Sequence, residues 1–369
     1  MRSNSQALDL HGLAMTKTVD RYIARMVGVS TLYVLLSLIA IFAFFEFIEE
    51  LKRVGKGRYG IWDVAQYVLL STPRVTYEFF PVAALIGSLI GLGTLNGNSE
   101  LTVIRMAGLS LRRIAQPVVA TGLVLSLIAL LLGEILLPWS EQSARILRSV
   151  AMADQITLKT RNGFWIRDGQ NFINIRKILP GNRVEDIYIY EYGEDYQLRG
   201  STHAKTAVYR DGGWQLEGIE QSFIQEGRIT NRFQERATWE SMLKPDLVNL
   251  VVVEPDKLSM YTLFDYIRYL KTNGQNTLRY EQALYLKLIY PLATTVMVLL
   301  ALPIVLRAVR AINIGQRIVA GALIGLSFHL INKMSSQLGV VMQMNPLLTT
   351  AAPTFITLGI VVYLMSRLR

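Results

Sequence analysis

Apolar residues are concentrated in six long segments of this chain, three near its beginning and three near its end. The first, residues 26–45, has 20 consecutive residues without a charge, which as a helix can cross about 30 Å of hydrocarbon. The second spans residues 79–95, and Pro73 is expected to separate it from an amphipathic approach over residues 61–72. The other four are residues 117–137, 288–306, 318–341 and 347–365. The pattern predicts an α-helical membrane protein with six transmembrane helices.

The polar middle of the chain, residues 138–279, alternates apolar and polar residues as β-strands do. One hairpin is predicted from Phe164 to Ile175 with its turn at Asp168-Gly169, and another over residues 207–219 around Asp211-Gly212-Gly213. Residues 139–153 and 261–271 have helical spacing, which predicts helical struts on either side of the strands. An all-β domain is therefore expected as an insertion between the third and fourth spans.

A short polar segment, residues 97–108, separates the second and third spans. Residues 79–95 before it are rich in small residues, typical of a membrane helix that another backbone approaches closely. Ser99 is expected to cap a helix of about two turns that ends at Gly108. Leu101, Ile104 and Leu109 can share one face of it. Glu100 lies in the first turn, where the helix dipole favours an acid that can meet a cationic partner.

Basic residues near the ends of the spans fix the orientation by the positive-inside rule. Those predicted to share one side are Lys17, Arg21, Arg25, Arg105, Arg112, Arg113, Arg307, Arg310, Arg317, Arg367 and Arg369. We therefore expect both termini in the cytoplasm and the β domain outside, in the periplasm of a cell with two membranes. Residues 1–15 are expected to form a disordered cytoplasmic tail, and Met15 is an alternative start of the chain. The membrane parts are expected to comprise residues 16–137 and 280–369.

The loop after the first span contradicts this charge rule, because it carries several cations on the outer side. Lys52 and Arg53 lie in it, and Arg145 and Arg148 share one face of the first strut at about the same membrane level. These residues can anchor phospholipid headgroups, each contributing about 1 kcal/mol near an anionic surface. The interpretation we favour is a binding site for the phosphates of an anionic lipid. The negative charge of Glu46 reduces the net positive charge of the region.

Composition narrows the function classes. The chain is 51% hydrophobic, has a mean hydropathy of +0.31 and contains no cysteine, which removes disulfides, thiolate metal sites and a cysteine nucleophile. Its three histidines make a histidine-based metal or acid–base site unexpected, and the net charge of +10 lies mainly at span ends rather than in a nucleic-acid-binding patch. P-loop, zinc-protease and serine-hydrolase motifs are absent from the sequence.

The fifth span contains three polar residues, His329, Asn332 and Lys333. They could form a proton relay or, more simply, a polar subunit interface.

Several short motifs carry a resemblance to a known family. They are VDRYI at 19–23, LKRVGKG at 51–57, FFP at 79–81, SEL at 99–101, AG at 107–108 and the pair Arg145 and Arg148. In combination they resemble the LptF/LptG family, the permeases of the lipopolysaccharide-export ABC transporter, over about residues 15–369. The DRY motif at 20–22 and the glycines and tyrosine at 55, 57 and 59 favour the LptG branch over the paralogous LptF branch.

The resemblance implies a six-span half-permease with a periplasmic β-jellyroll in the inner membrane of a Gram-negative bacterium. It implies an LptF-like permease, an LptB-like ATPase dimer, an LptC-like single-span protein and, through it, an LptA-like bridge as partners. Lipopolysaccharide would be extracted from the outer leaflet of the inner membrane and passed to that bridge. ATP and magnesium would be bound by the partner ATPase, so this chain is expected to need no cofactor or metal and to be no enzyme itself.

Residue roles follow from the same resemblance. The positions expected to couple to the ATPase are Glu100, Leu101, Ile104 and Gly108, and those expected to bind lipopolysaccharide phosphates are Lys52, Arg53, Arg145 and Arg148. Some family members carry a lysine where this chain has Glu46, so lipid contacts at that level are expected to differ. Two alternatives stay open: a mechanotransmission subunit of an efflux or lipoprotein-releasing ABC system, which has four spans by pattern, and a non-transporting membrane scaffold.

Overall fold

The computed structural model describes residues 3–152, 163–179, 183–193, 195, 197–210, 213–225, 228–239, 254–307 and 313–368, with side chains of the first helix described from Thr18 onward. The chain forms two compact units. The first comprises Met1–Lys52, Ala65–Ser143 and Leu278–Arg369, and the second comprises Arg53–Val64 and Ala144–Thr277. The second unit thus contains most of the predicted insertion together with the loop that follows the first span.

The first unit is built from long helices. Their bounds are α1 Ser3–Leu51, α2 Ile61–Gly97, α3 Glu100–Met106, α4 Leu111–Leu131, α7 Leu278–Arg307, α8 Ile314–Val341 and α9 Pro346–Ser366. A π-helical turn, Leu132–Leu136, joins α4 to α5, Leu137–Met152. In the described ranges, six helices are long and apolar enough to cross a membrane. The predicted six-span architecture is therefore confirmed.

Two backbone predictions for this unit differ from the structure. α2 runs unbroken through Pro73, whereas we expected that residue to separate an approach helix from the span. Membrane helices tolerate proline where neighbouring helices and local adjustments satisfy the freed backbone groups, so Pro73 does not end the helix. In addition, α1 begins at Ser3, so helical backbone extends into the segment predicted as a disordered tail.

The small residues of α2 allow close packing against α1, as their sequence predicted. A Cβ atom built on Gly87 would lie 2.3 Å from the Cα of Thr31, and one on Gly91 would lie 2.8 Å from the carbonyl oxygen of Met26. Such contacts require glycine, because real Cβ atoms do not approach so closely. Glycines at helix contacts let backbones meet directly, which drives helix association in membranes.

The second unit contains a six-stranded antiparallel sheet in the order β1-β2-β3-β4-β5-β6. The strands are Phe164–Asp168, Asn171–Leu179, Arg183–Tyr192, Leu198–Arg210, Gly213–Gln225 and Arg228–Trp239. Both predicted hairpins form, with Asp168 opposite Asn171 and Arg210 opposite Gly213. Asp211 and Gly212, which we predicted in the second turn, lie outside the described residues. The described strands follow a simple meander, so an all-β insertion is confirmed.

One sheet face forms the apolar core of this unit, and the second strut, α6, Met260–Thr272, is tied to the first hairpin. The Tyr269 hydroxyl donates to the carbonyl of Arg167 over 2.9 Å, and the Asn273 amide oxygen accepts from the backbone of Gly169 over 2.9 Å. Burial, with a smaller contribution from the charge of Asp168, raises the pKa of Tyr269 to about 12. The hydroxyl therefore stays a hydrogen-bond donor at neutral pH.

Candidate coupling and lipid-binding surfaces

The predicted helix between the second and third spans is present as α3, Glu100–Met106. Ser99 precedes it in the left-handed region, with φ of 62°, and makes no side-chain cap, in contrast to the expected N-cap. Gly108 ends it with φ of +91° and donates its N–H to the carbonyl of Arg105. A glycine is favoured there because the left-handed region strains other residues.

The face of α3 that we expected to offer to a partner instead contacts the chain's own bundle. Leu101 is fully buried in a cluster formed with residues of α1, α2, α4 and α7, and Ile104 packs against the same cluster. Both residues were predicted to couple to the ATPase. Hydrophobic spacing identified this apolar face without telling which neighbour covers it, and in the structure the chain's own helices cover it. They anchor α3 to the membrane helices.

The exposed side of α3 carries two other apolar residues. Val103 is 58% exposed and Met106 is 75% exposed. Glu100 is half-buried, accepts a hydrogen bond from the Asn98 amide over 3.1 Å and faces the Tyr22 hydroxyl of α1. Large exposed apolar side chains beside a carboxylate are suited to docking with a protein partner. Sequence reasoning missed Val103 and Met106.

Lys52, Arg53, Arg145 and Arg148 do not all belong to one compact unit. Lys52 is the last residue of the first segment of the membrane unit, whereas the three arginines belong to the second unit. Lys52 is exposed, and Arg53, Arg145 and Arg148 are half-buried.

Within the second unit, the loop that carries Arg53 is tied to the end of the helix that carries Arg145 and Arg148. The Arg58 backbone N–H donates to the carbonyl of Ala151 over 2.8 Å. A Cβ atom built on Gly57 would lie 2.7 Å from the carbonyl oxygen of Met152, and its φ of +62° independently favours glycine. This attachment explains why the loop folds with the inserted domain rather than with the membrane helices.

The membrane unit also contains ion pairs that the sequence did not reveal. Arg74 lies 2.8 Å from Glu46 and 3.7 Å from Glu141. Glu46 therefore belongs to an arginine-centred cluster. Glu78 lies 3.7 Å from His329, whose ring stacks on Phe79. His329 thus faces an acid on a neighbouring helix.

A buried lysine of α7 pairs with an acid of the π-helical turn that follows α4. Lys287 Nζ lies 2.7 Å from Glu134 Oε1 and donates to the carbonyl of Gly133 over 3.1 Å. The Lys287 side chain is only 3% exposed. An acid inside the predicted third span was the available signal for this pair, because ionisable groups in membranes require partners.

These features define a class of protein: a polytopic membrane protein with six candidate spans, a short helix with an exposed apolar side, and an inserted antiparallel β domain. The family model described as "Lipopolysaccharide export system permease LptF/LptG" matches residues 21–367, and the chain belongs to that family.

Two relatives illustrate how far the similarity extends. The chain is 34% identical to the lipopolysaccharide export system permease protein LptG of Haemophilus influenzae over 359 residues, which is 96% of this chain and all of the relative. It is 32% identical to the protein of the same name from Escherichia coli strain K12 over 339 residues, covering 91% of this chain and 94% of the relative. The resemblance to the LptG branch is thereby confirmed.

Proposed function

We propose that this chain is the LptG-type permease subunit of a lipopolysaccharide exporter in the inner membrane of a Gram-negative bacterium, with its termini in the cytoplasm and its β domain in the periplasm. The observation that supports this most directly is the family match over almost the whole chain. The subunit would extract lipopolysaccharide from the outer leaflet and pass it to a periplasmic protein bridge. The proposed partners are an LptF-like permease, an LptB-like ATPase dimer and an LptC-like single-span protein.

The physical task explains why such a protein needs two apolar environments. Each CH₂ group moved from lipid into water costs about 0.8 kcal/mol, so several acyl chains exposed together would cost many tens of kcal/mol. The span bundle would shield the chains first. The apolar core of the sheet, which includes Ile173, Ile187 and Ile219, would then provide the next apolar environment; since these side chains are closed to solvent, the sheet would have to open for acyl chains to reach them. Energy from ATP would be supplied by the separate ATPase, and this chain would transmit movement.

Purification from native membranes in mild detergent, followed by mass spectrometry of the associated proteins and lipids, tests the function as a whole. We expect an ATPase, a second six-span protein, a single-span protein and lipopolysaccharide to be recovered together. Recovery with an efflux channel and without lipopolysaccharide would favour a mechanotransmission subunit instead. Recovery without any ATPase would contradict both interpretations.

Coupling is proposed to use Glu100 together with the exposed apolar side of α3. Met106→Asp should leave the amount of protein in the membrane unchanged, because Met106 is largely exposed, but should abolish co-purification of the ATPase. Leu101→Ala is the matched variant on the same helix. It leaves the exposed side intact and removes buried volume, which typically costs about 2–5 kcal/mol of stability. The proposal is wrong if Met106→Asp retains the ATPase and its stimulated activity.

Lys52, Arg53, Arg145 and Arg148 are proposed to bind the phosphates of lipopolysaccharide. A double variant, Lys52→Glu with Arg53→Glu, should reduce lipopolysaccharide crosslinking and lipopolysaccharide-stimulated ATP hydrolysis, because it replaces attraction with repulsion. Lys56→Glu, an exposed cation of the same loop, is the control for a general loss of positive charge. Equal effects of the control and the double variant would indicate nonspecific headgroup attraction and would contradict a defined phosphate site.

A further inference from the structure

The sheet of the second unit has a buried, mainly aliphatic face that also contains Trp214 (the aliphatic face) and an opposite face that carries aromatic residues on β1 to β4. On β2 and β3, Ile173, Ile175, Ile187 and Ile189 are buried in the core of the unit. Because side chains alternate along a strand, the residues between them lie on the opposite face. The aromatic face defined in this way carries Trp165, Phe172, Tyr188, Tyr190, Tyr192 and His203. A solvated sheet face is normally polar, so six rings on it require an explanation.

The rings form an ordered array. Trp165 stacks on Tyr190 with ring centroids 5.7 Å apart, and Tyr188 stacks on His203 at 4.5 Å. Phe172 meets Tyr192 edge to face at 5.4 Å. Trp165 is 56% exposed and lies on β1, the first strand in the order of the sheet. The array therefore offers aromatic surface to a ligand beside the sheet.

Two arginines lie within this array. The guanidinium of Arg176 lies 4.6 Å from the ring centre of Tyr188, and that of Arg167 lies 5.5 Å from the ring centre of Phe172. The carboxylate of Asp186 lies 2.9 Å from Nε2 of His203 and 4.0 Å from the guanidinium group of Arg176, which helps to hold both side chains in place. The side chain of Arg176 nevertheless stays 53% exposed. The aromatic face thus combines ring surfaces, phenolic hydroxyls and exposed guanidinium groups.

We propose that the aromatic face binds a phosphorylated oligosaccharide, the chemistry of the lipopolysaccharide head group beyond lipid A. Sugar rings present C–H groups that pack on aromatic rings, and guanidinium groups bind phosphate with paired hydrogen bonds. An acyl chain is disfavoured here, since it would strip water from the hydroxyls and guanidinium groups without replacing their hydrogen bonds. The inference rests on the proposed function: lipid chains would contact the aliphatic face while the attached sugars contact the aromatic face.

Photo-crosslinking in living cells tests the proposal with the full chain in its native assembly. The photoreactive residue p-benzoylphenylalanine replaces Trp165 on the aromatic face or Tyr209, which packs against the aliphatic core. Both changes exchange one aromatic residue for another, and immunoblotting verifies equal amounts in the membrane. Each variant is compared in cells that make lipopolysaccharide with its core sugars and in cells that make lipopolysaccharide truncated next to lipid A.

We expect crosslinking to lipopolysaccharide from position 165 to fall at least about tenfold in the truncated strain, which corresponds to about 1.4 kcal/mol of binding free energy from the sugars. Crosslinking from position 209 should persist in both strains. Equal crosslinking from position 165 in both strains, or crosslinking from it to a protein instead, would overturn the proposal while leaving the transport function intact. Loss of lipopolysaccharide crosslinking from both positions in both strains would overturn this proposal and the proposed transport function together.

The arginines give a second, independent readout. With the photoreactive residue at position 165, Arg176→Gln should lower crosslinking to complete lipopolysaccharide about fivefold, as expected for loss of an exposed ion pair worth about 1 kcal/mol. Arg199→Gln is the control, because Arg199 is exposed on the same sheet and pairs with Asp195. An equal reduction in both variants would show that general charge, rather than the aromatic face, attracts the ligand.

Discussion

The buried pair of Lys287 and Glu134 gives the sharpest energetic prediction. Lys287 Nζ lies 2.7 Å from Glu134 Oε1, and the two side chains are 3% and 19% exposed. Removing one partner from a buried pair leaves an uncompensated charge and typically costs about 3–5 kcal/mol. Glu134→Gln should cost about 3 kcal/mol, the lower end of that range, because the carbonyl of Gly133 still accepts from the ammonium group. Lys287→Met should cost less, since the remaining carboxylate is nearer to solvent.

A double-mutant cycle measures the coupling within this pair. Reversible unfolding of the full chain in mixed micelles, followed by circular dichroism, gives the free energy for the wild type, both single variants and the double variant. The double variant should lose less stability than the sum of the single losses by about 1–3 kcal/mol, as for other residues in direct contact. Losses that add to within about 0.5 kcal/mol would refute the assigned ion pair.

A second pair in the same unit serves as the control for burial. Arg113 and Asp20 are also 2.7 Å apart, but their side chains are 30% and 32% exposed. Solvent screens such a pair, so its coupling should be about 0–1 kcal/mol. If both pairs gave the same coupling, burial would not be the cause of the larger effect.

Two further predictions concern packing and pH. Gly87→Ala should destabilise the chain by about 1–3 kcal/mol in the same unfolding assay, because its new methyl group would overlap the backbone of Thr31. Gly28→Ala, where a Cβ meets open space, should leave stability nearly unchanged, and equal effects would contradict the close contact. Tyr269→Phe should cost about 1 kcal/mol at neutral pH by removing the hydrogen bond to Arg167. Because the folded pKa of Tyr269 is raised, its contribution is complete below pH 10 and is lost as pH rises towards about 12. Thermal unfolding of the Phe variant should therefore depend less steeply on alkaline pH than that of the wild type.

Periodicity predicted the elements of this fold because it reflects local chain geometry. The 20 uncharged residues of 26–45 lie within α1, and the alternation around Asp168 corresponds to the β1–β2 hairpin. Glycine at position 108 likewise marked the end of α3, since its backbone adopts a left-handed conformation. Each of these signals lies within a few residues of the feature that it predicts.

Partners distant in the sequence could not be predicted in this way. Arg74 of α2 pairs with Glu46 of α1, and Lys287 meets Glu134, an acid of the π-helical turn after α4 that is 153 positions away in the sequence. The apolar residues of α3 were identified as a face, but the sequence did not show that Leu101 points into the bundle. Which of two faces is covered depends on tertiary packing, and periodicity alone carries no information about it.

The burial of Leu101 bears on how α3 can transmit force. A helix attached only through flexible loops would absorb a displacement locally, whereas Leu101 and Ile104 insert into a cluster shared by α1, α2, α4 and α7. Close-packed interiors have low compressibility and transmit strain. A push on the exposed side of α3 at Val103 and Met106 would therefore move these helices together with it. In the proposed coupling, both sides of α3 would be needed: the exposed residues would receive the movement and the buried residues would transfer it to the spans.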